Sequence, residues 1–537
     1  MKKTILMLAV LPVLGIGLLG VDKFYPDDPL QREPPSRDAG GVKPRKIDQY
    51  YDLLENSFAK RGERNKKGHI VPAQGVNTLG EPMDGAWYTH RHYFKPMSSE
   101  ELVRGPGGNN PPSSDGSWTL VSAKNEGISP GFVMTDGKGD RYFVKFDPMS
   151  NPEMATGAEM ISVRFFHALG YHVPDYYLIR ITPERLVIGP NVQFTDSEGR
   201  KRKMTIRDLD KLLSKVPKSK DGTYRAIASL QLPGKPVGPF KYFGTRADDP
   251  NDTVPHEDRR ELRGLYVFSA WLNHNDVRSI NTLDTLVQEG DRQYVRHYLI
   301  DFGSTLGSAS VEEKSARVGG EYYLDFKPAP KQIATLGLAV PYWARAKFPD
   351  NPAVGGFDSA VFRPDQWLPD YPNSAFLNRL PDDEFWAAKQ VMAFTDEHIR
   401  AIVKVAEFSD PRAEKYVADT LIARRDKIGK TYFPRVLPLD RFAIENGKLV
   451  FTDLEKHNPY PGSALQIAWS GFDNQTGRKT PIPTAQGFDL PSGALGNTQL
   501  SYLAADIWRG DDRKKAVTVY LRVEGGRTEI VGADRTW

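Results

Sequence analysis

Between residues 117 and 170 the chain carries three short apolar stretches, joined by glycine-containing turns, and then an amphipathic stretch. The apolar stretches are SWTLVSAKNE, FVMTD and RYFVKFD, and the turns are GISPG and GKG. Short runs rich in β-branched and aromatic residues between turn residues are typical of β-strands. The amphipathic stretch repeats apolar residues at helical spacing, at Met154, Ala158, Ile161 and Phe165. The region is therefore predicted as three strands followed by one helix.

Two charged residues occupy defined positions in this region. Lys145 lies on the third strand, on the face opposite its apolar neighbours Val144 and Phe146. Glu159 lies beside the apolar stripe of the helix. An exposed lysine on a strand and a solvated glutamate on a helix are both common, so neither residue alone predicts a site.

A polar loop and a hairpin follow further along the chain. A second helix is predicted over HEDRRELRGLYVFSAWLNH, and the loop HNDVRSIN begins at its end, with Asp276 and Asn281 five residues apart. A predicted hairpin then leads to Asp301-Phe302-Gly303. Asp and Asn in loops usually form turns, and each motif alone is weak. The joint occurrence of a strand lysine, a helix glutamate, a loop with Asp and Asn, and Asp-Phe-Gly after a hairpin, in this order, is much harder to attribute to chance.

Over about residues 117–430 the chain resembles the protein-kinase-like superfamily. Kinases share the order strand Lys, helix Glu, His-x-Asp-x4-Asn, hairpin and Asp-Phe-Gly. The resemblance is greatest to atypical members, namely the HipA-type bacterial kinases, the secreted Fam20-like kinases and the lipid kinases. The stretch TGAEMISVRFFHALGYHVPDYYLI is similar to the Glu-bearing helix and the following Gly-x-x-Val-Pro segment of HipA-type enzymes.

The resemblance implies an α+β, bilobal protein-kinase-like fold with a β-rich N-lobe and a helical C-lobe, to which a C-terminal β-rich domain is added. It implies that Lys145 contacts nucleotide phosphates and pairs with Glu159. The resemblance and the composition of the remaining segments together predict these domain boundaries: 1–22 for a signal peptide or membrane anchor, 23–116 for a linker and N-terminal extension, 117–240 for the N-lobe, 241–437 for the C-lobe and 438–537 for the C-terminal domain.

The resemblance also implies roles for the loop residues. Asp276 would be the catalytic base, and Arg278 would be the loop cation that neutralises the transferring phosphoryl group. Asn281 and Asp301 would bind Mg²⁺ or Mn²⁺, which prefer oxygen ligands, and ATP would be the donor.

The chain departs from the common protein-kinase pattern at three places. It has no G-x-G-x-x-G motif before Lys145, so Gly127, Ser129 and Gly131 of GISPG would have to supply the backbone contacts to phosphate. His-Asn-Asp replaces His-Arg-Asp, and no Ala-Pro-Glu follows Asp301. These differences leave the acceptor open between a protein, a lipid and a glycan.

The N-terminus predicts export. Lys2 and Lys3 precede an uncharged apolar run at 4–20, which resembles a secretory signal or an uncleaved anchor that could attach the chain to a membrane. The expected location is the periplasm, the extracellular space or an outward-facing membrane surface. Residues 23–45 are polar and rich in proline, and are predicted to form a tether. The chain has no cysteine, which excludes disulfides, thiolate metal sites and cysteine nucleophiles.

Charge and composition limit the other partners. The net charge is only +4, so no nucleic-acid partner is predicted. The basic run GRKRK (199–203) is best explained as a solvated hairpin, with an anionic lipid or glycan surface as the alternative. The sequence therefore predicts an exported or membrane-tethered atypical kinase that transfers the γ-phosphoryl group of ATP. The alternatives are a kinase-fold binding protein, such as a pseudokinase or an envelope scaffold, and an AMP transferase on the same fold.

Overall fold

The computed structural model describes residues 21–62, 70–107, 110–123, 130–195, 200–324, 340–457, 464–485, 487–492 and 500–537. Within these ranges no helix is both long and apolar enough to cross a membrane. The apolar run at 4–20, on which the predicted export rests, lies outside the described residues.

The N-terminal lobe is built on a six-stranded sheet. The strands of this sheet are β1 (Trp118–Ala123), β2 (Gly131–Thr135), β3 (Arg141–Phe146), β4 (Tyr176–Ile181), β5 (Leu186–Ile188) and β8 (Tyr224–Leu230). A separate small hairpin between β5 and β8 contains β6 (Gln193–Thr195) and β7 (Lys201–Lys203). The sheet order is β4-β8-β3-β2-β1-β5, and every pair is antiparallel except β1 with β5. The three strands predicted before the helix are thus adjacent in the sheet. The basic run 201–203 forms β7, whose side chains are exposed.

Nine α-helices are assigned within the described residues, and most of them form the helical lobe. They are α1 (Gln49–Leu54), α2 (Ser99–Arg104), α3 (Met154–Ala168), α4 (Ile206–Leu213), α5 (Arg260–Leu272), α6 (Ser374–Asn378), α7 (Pro381–Met392), α8 (Asp396–Lys404) and α9 (Pro411–Tyr432). Helices α3, α5, α7, α8 and α9 share one apolar core, in which Trp271 and Trp386 are fully buried. This burial is the main source of stability for helices of ordinary propensity.

Helix α3 carries Glu159 and is fixed at its start by a buried carboxylate. The Thr156 N–H donates to Asp147 Oδ1 at 2.8 Å, and the Thr156 hydroxyl donates to Asp147 Oδ2 at 2.7 Å. Asp147 therefore satisfies an N–H of the first turn that has no partner inside the helix. Because Asp147 directly follows β3, this contact also fixes the helix relative to the strand that bears Lys145.

A second small sheet carries the chain into and out of the polar loop. It contains β9 (Lys235–Gly238), β10 (Thr282–Glu289) and β11 (Arg292–Leu299), in the order β11-β10-β9. Strands β10 and β11 form the predicted hairpin, paired from Thr282 with Leu299 to Glu289 with Arg292. The hairpin sets the distance between Asn281, immediately before β10, and Asp301, just after β11.

The C-terminal region is β-rich. A two-stranded ribbon contains β12 (Leu439–Glu445) and β13 (Lys448–Asp453), and a five-stranded sheet in the order β15-β14-β16-β17-β18 contains β14 (Leu465–Phe472), β15 (Lys479–Pro481), β16 (Ser501–Arg509), β17 (Asp512–Glu524) and β18 (Arg527–Arg535). The predicted α+β class, with a β-rich lobe, a helical lobe and a β-rich C-terminal region, is confirmed. The exact domain boundaries stay predictions.

Residues 23–45 do not form a free tether. Phe24 is buried against the C-terminal sheet, with its ring centroid 5.1 Å from that of Tyr520. Further along, the Ala39 N–H donates to the Gln293 carbonyl of β11 at 2.8 Å. The segment thus lies along the surface of the folded protein, where backbone hydrogen bonds and one buried ring offset the cost of ordering a polar chain.

Buried ion pairs join the C-terminal region to the helical lobe. Lys389 of α7 is only 3% exposed, and its ammonium contacts Glu81 Oε1 at 2.5 Å and Asp440 Oδ2 of β12 at 2.8 Å. The Tyr93 hydroxyl donates to the same Asp440 oxygen at 2.6 Å. Charges removed from water in this way are stable only when they keep their partners, so this contact is specific as well as close.

Candidate active site

A cleft of 1810 Å³ lies where the N-terminal sheet faces the helical lobe. Lys145 from β3, the polar loop after α5 and the turn after β11 all contribute to its lining. The predicted site residues that line it are Lys145, Asp276, Arg278, Asn281 and Asp301. These residues come from three separate parts of the chain, so their meeting in one cleft is a property of the fold and not of local sequence.

Lys145 connects two of these parts. Its ammonium lies 2.8 Å from Glu159 Oε1 and 2.8 Å from Asp301 Oδ1. The alternation of β3 buries Val144 and Phe146 in the core and turns Lys145 to the other face, toward the cleft. Burial opposes the charge on Lys145, but Asp301 and Glu159 outweigh it and raise the pKa of Lys145. The lysine is therefore a fixed cation at neutral pH.

Glu159 is a buried carboxylate, not a solvated helix charge. It is 3% exposed, and burial raises its pKa while the ammonium of Lys145 opposes that rise. A buried carboxylate on an otherwise apolar helix face is costly unless it is paired. Its role is therefore to hold the ammonium of Lys145 in place at the cleft.

The loop 273–281 presents its polar groups through a chain of hydrogen bonds. Helix α5 ends at Leu272, and its C-cap Asn273, with a φ of 51°, turns the chain away from the helix axis. Asn281 donates from Nδ2 to the Asp276 carbonyl at 2.8 Å and from its backbone N–H to the Arg278 carbonyl at 3.0 Å. The Ile300 N–H then donates to the Asn281 carbonyl at 3.0 Å, which ties the loop to the turn that bears Asp301.

Asp276 and Arg278 form an ion pair at the centre of this loop. Burial raises the pKa of Asp276, although the Arg278 guanidinium opposes the shift. A carboxylate with a raised pKa accepts a proton more readily than a solvated one. The guanidinium lies directly beside the group that would accept the proton.

The turn Asp301-Phe302-Gly303 is held by its central ring. Phe302 is fully buried and stacks on Phe166 of α3, with ring centroids 4.9 Å apart and an interplanar angle of 21°. Asp301 has a φ of 62°, in the left-handed region, and this conformation directs the chain so that the ring enters the core while the carboxylate faces the cleft. The adjacent His274 is kept neutral, because burial lowers its pKa to about 3. Its ring packs near Phe302, with the two ring centroids 5.8 Å apart.

Gly303 leaves room for the charged cluster. A Cβ at this position would lie 2.8 Å from Ser310 Oγ and 3.0 Å from Glu159 Oε1. We expect Gly303→Ala to lower the free energy of unfolding by about 1–3 kcal/mol, because the added methyl group overpacks a filled site. Denaturant unfolding of both proteins measures this loss. Gly471→Ala is the control, since the nearest atom to its Cβ is 3.9 Å away. An equal loss of stability in both variants would contradict the view that the site around Gly303 has no room for a methyl group.

The cleft is also lined by two charged residues that were not predicted from the sequence, Lys314 and Asp370. Lys314 is buried and donates to the Ser304 carbonyl at 2.6 Å and to the side chain of Asn275; burial lowers its pKa to about 8. Asp370 accepts from the Asn275 side chain, and burial together with the charge of Asp276 raises its pKa to about 6. Lys314 follows two glutamates in VEEKS, which is typical of a solvated surface, so no local pattern distinguished it.

The glycine-containing turn is only partly described. Gly127 and Ser129 lie outside the described residues. Gly131 is the first residue of β2 and pairs in register with Lys145 of β3. A contact between this turn and phosphate stays a prediction.

The oxygen donors of the cleft fit a cation that arrives with phosphate. Within the described residues no group of three or more His, Asp or Glu side chains is arranged to hold a metal by itself. Asn281 and Asp301 supply an amide and a carboxylate to the lining of the same cleft as Lys145. Mg²⁺ is characteristically bound by one or two carboxylates plus substrate phosphates, which is the donor set that these residues could complete.

No protein-family model matches the chain, and no curated protein matches it. Among solved structures, the chain is similar to the Helicobacter pylori proinflammatory kinase CtkA, with 11% identity and a TM-score of 0.30 over 59% of this chain and 98% of that one. It is also similar to the Golgi casein kinase with Mn/ADP bound, with 8% identity and a TM-score of 0.26 over 60% and 75% of the two chains. A further structure of the Golgi casein kinase gives 9% identity and a TM-score of 0.24 over 59% and 73%. Similarity at these TM-scores carries no argument about function, so the chemistry of the site has to follow from its own residues.

Proposed function

We propose that the chain is an atypical kinase that transfers the γ-phosphoryl group of ATP to a hydroxyl of a protein, lipid or glycan acceptor. One observation carries the proposal: the Lys145 ammonium lies 2.8 Å from both Glu159 and Asp301, in the cleft that Asp276 and Asn281 also line. A binding protein has no need of the Asp276 carboxylate, with its raised pKa, beside the Arg278 guanidinium, whereas transfer to a hydroxyl uses both a base and a cation.

The residues of the cleft divide the work of such a transfer. Asp276 would accept the proton of the acceptor hydroxyl, whose oxygen forms a bond to the γ-phosphorus while the bond to the β-phosphate oxygen breaks and ADP leaves. Arg278 and Lys145 would neutralise the charge of the phosphates, and Glu159 would hold Lys145 in place. Asn281 and Asp301 would hold Mg²⁺ or Mn²⁺, which when bound neutralises phosphate charge. Most of the catalysis would come from positioning and charge neutralisation.

We also propose that the protein is exported or tethered to a membrane. The support is the sequence alone, namely Lys2 and Lys3 before the apolar run at 4–20. The described residues would then lie outside the cytoplasm, together with the cleft.

Transfer can be tested with ATP labelled at the γ or the α position, incubated with Mg²⁺ and the purified full chain. The proposal expects label from the γ position on an acceptor or on the chain itself. If label from the α position appears on the acceptor or on the chain instead, the protein is an AMP transferase and not a kinase. Nucleotide binding without transfer of either label would favour a pseudokinase or scaffold, and absence of both binding and transfer would overturn the proposal.

The metal site has its own test. We expect Asp301→Asn to weaken Mg²⁺-dependent nucleotide binding at least about 100-fold, because a ligand should matter no less than the groups that orient ligands. Titration calorimetry with and without Mg²⁺ measures the change. Asp291→Asn serves as the control, since its side chain is 95% exposed on the hairpin. Equal Mg²⁺ dependence in the two variants would exclude Asp301 as a ligand.

A further inference from the structure

The N-terminal extension reaches the cleft at the start of α1, where Asp48 and Gln49 line it. Asp52 of this helix is 1% exposed. Its Oδ1 accepts a hydrogen bond from the Ser279 hydroxyl at 3.0 Å, and its Oδ2 accepts one from the Tyr371 hydroxyl at 2.5 Å. Ser279 lies between Arg278 and Asn281 in the loop, and Tyr371 follows Asp370. A single carboxylate from the extension thus connects two segments that line the cleft, the loop with Arg278 and Asn281 and the segment with Asp370.

Helix α1 is itself held firmly in this position. Asp48 caps it by accepting from two backbone N–H groups of its first turn. At its other end Glu55 forms an ion pair with Lys241 at 2.9 Å, and the Asn378 side chain donates to the Gly62 carbonyl at 2.7 Å. The carboxylate of Asp52 is therefore presented by a fixed element and not by a loose segment.

The contacts of Asp52 leave little freedom to Ser279. A buried carboxylate requires donors, and besides the two hydroxyls it receives one from Asn56 Nδ2 at 3.1 Å. Loss of one such donor leaves a buried acceptor partly unsatisfied, at a cost of about 1–3 kcal/mol. Movement of Ser279 would incur this cost, so the carboxylate resists displacement of the loop.

We infer that Asp52 is a positioning residue, which holds Asp276 and Asn281 in their working geometry through Ser279 and Tyr371. The inference rests on the proposed function. Asp276 and Asn281 lie three and two residues from Ser279 on the same hydrogen-bonded loop, so displacement of Ser279 moves both. Misplacement of reacting groups by about 1 Å can cost about 100-fold in rate. The N-terminal extension is then a part of the active site, although it precedes the predicted kinase lobes.

Tyr371→Phe is the sharpest test, because the chain offers a matched control in Tyr93→Phe. Both tyrosine hydroxyls donate to an aspartate, at 2.5 Å to Asp52 and at 2.6 Å to Asp440, but of these two aspartates only Asp52 also accepts from the loop residue Ser279. We expect Tyr371→Phe to lower kcat about 10- to 100-fold with little change in the nucleotide KM. Tyr93→Phe should lose similar stability and keep its kcat.

Hydrogen exchange provides a readout that needs no acceptor. Amide exchange at residues 276–281 should rise in Tyr371→Phe and in Asp52→Asn, and should stay at the wild-type rate in Tyr93→Phe. If exchange and kcat both stay at the wild-type values in Tyr371→Phe and in Asp52→Asn, the inference is overturned while the proposed function stays intact. If the wild-type chain binds no nucleotide, the proposed function fails, and the exchange rates still decide whether Asp52 holds the loop.

Discussion

Replacing Asp276 by asparagine is expected to lower phosphoryl transfer about 10²- to 10⁴-fold, the range typical for loss of a general base. Asparagine keeps the size of the side chain but cannot accept the proton of the acceptor hydroxyl. The nucleotide should bind with nearly unchanged affinity, because Lys145, Glu159 and Asp301 keep their contacts. Single-turnover transfer assays and titration calorimetry measure the two quantities on the same protein.

The combination of effects separates Asp276 from Asp301. Loss of transfer with retained binding in Asp276→Asn, and loss of Mg²⁺-dependent binding in Asp301→Asn, would match the assigned roles. The side chain of Asn281 donates to the backbone carbonyl of residue 276, a contact that Asp276→Asn keeps. The loop should therefore keep its shape in this variant. Wild-type transfer rates in Asp276→Asn would show that the residue is not the base.

Lys145→Met is expected to reduce both nucleotide affinity and stability. The side chain of Glu159 is only 4% exposed and would lose the cation at 2.8 Å, which costs about 3 kcal/mol when one partner of a buried pair is removed. The loss should be smaller at acidic pH, because burial already raises the pKa of Glu159 and a protonated carboxyl needs no counter-charge. Relative to the wild type, the stability of the variant should therefore fall as the pH rises.

A double-mutant cycle provides the control for this prediction. Lys145→Met combined with Glu159→Gln should recover much of the stability lost in Lys145→Met, because glutamine is uncharged and needs no cation beside it when buried. The nucleotide affinity should stay low in the double variant, because phosphate would still lack its cation. Lys201→Met on the exposed strand β7 should change neither property, and an additive cycle would contradict a coupled pair.

The resemblance to kinases, carried by the order of these residues on regular elements, predicted the central cluster. Lys145 alternates with buried strand residues, and Glu159 follows one helix later, so a strand-to-helix connection brings them within reach of each other. Asp276 and Asn281 lie on one loop, and a regular hairpin carries the chain from there to Asp301. These relations depend on short segments and regular elements, which local sequence specifies.

The supporting residues could not be predicted in the same way. Asp52 contacts Ser279 across 227 residues of sequence and Tyr371 across 319, and no local pattern relates such partners. The predicted tether at 23–45 was wrong for a related reason, because its polar, proline-rich composition did not show that Phe24 has a buried position to fill. Composition describes a segment by itself, whereas these contacts depend on surfaces that form only in the folded protein.

The buried pairing of Lys389 with Glu81 and Asp440 limits how the C-terminal ribbon β12–β13 can change during evolution. A substitution at Asp440 would leave a desolvated ammonium without one of its two carboxylates, so it would have to be accompanied by a change at Lys389 or Glu81. Transplanting the ribbon onto another protein, or removing it from this one, would break the contact between Lys389 and Asp440. The ribbon β12–β13 is therefore energetically one unit with the helical lobe, and we expect a relative that keeps the cleft but lacks this ribbon to carry an uncharged residue in place of Lys389.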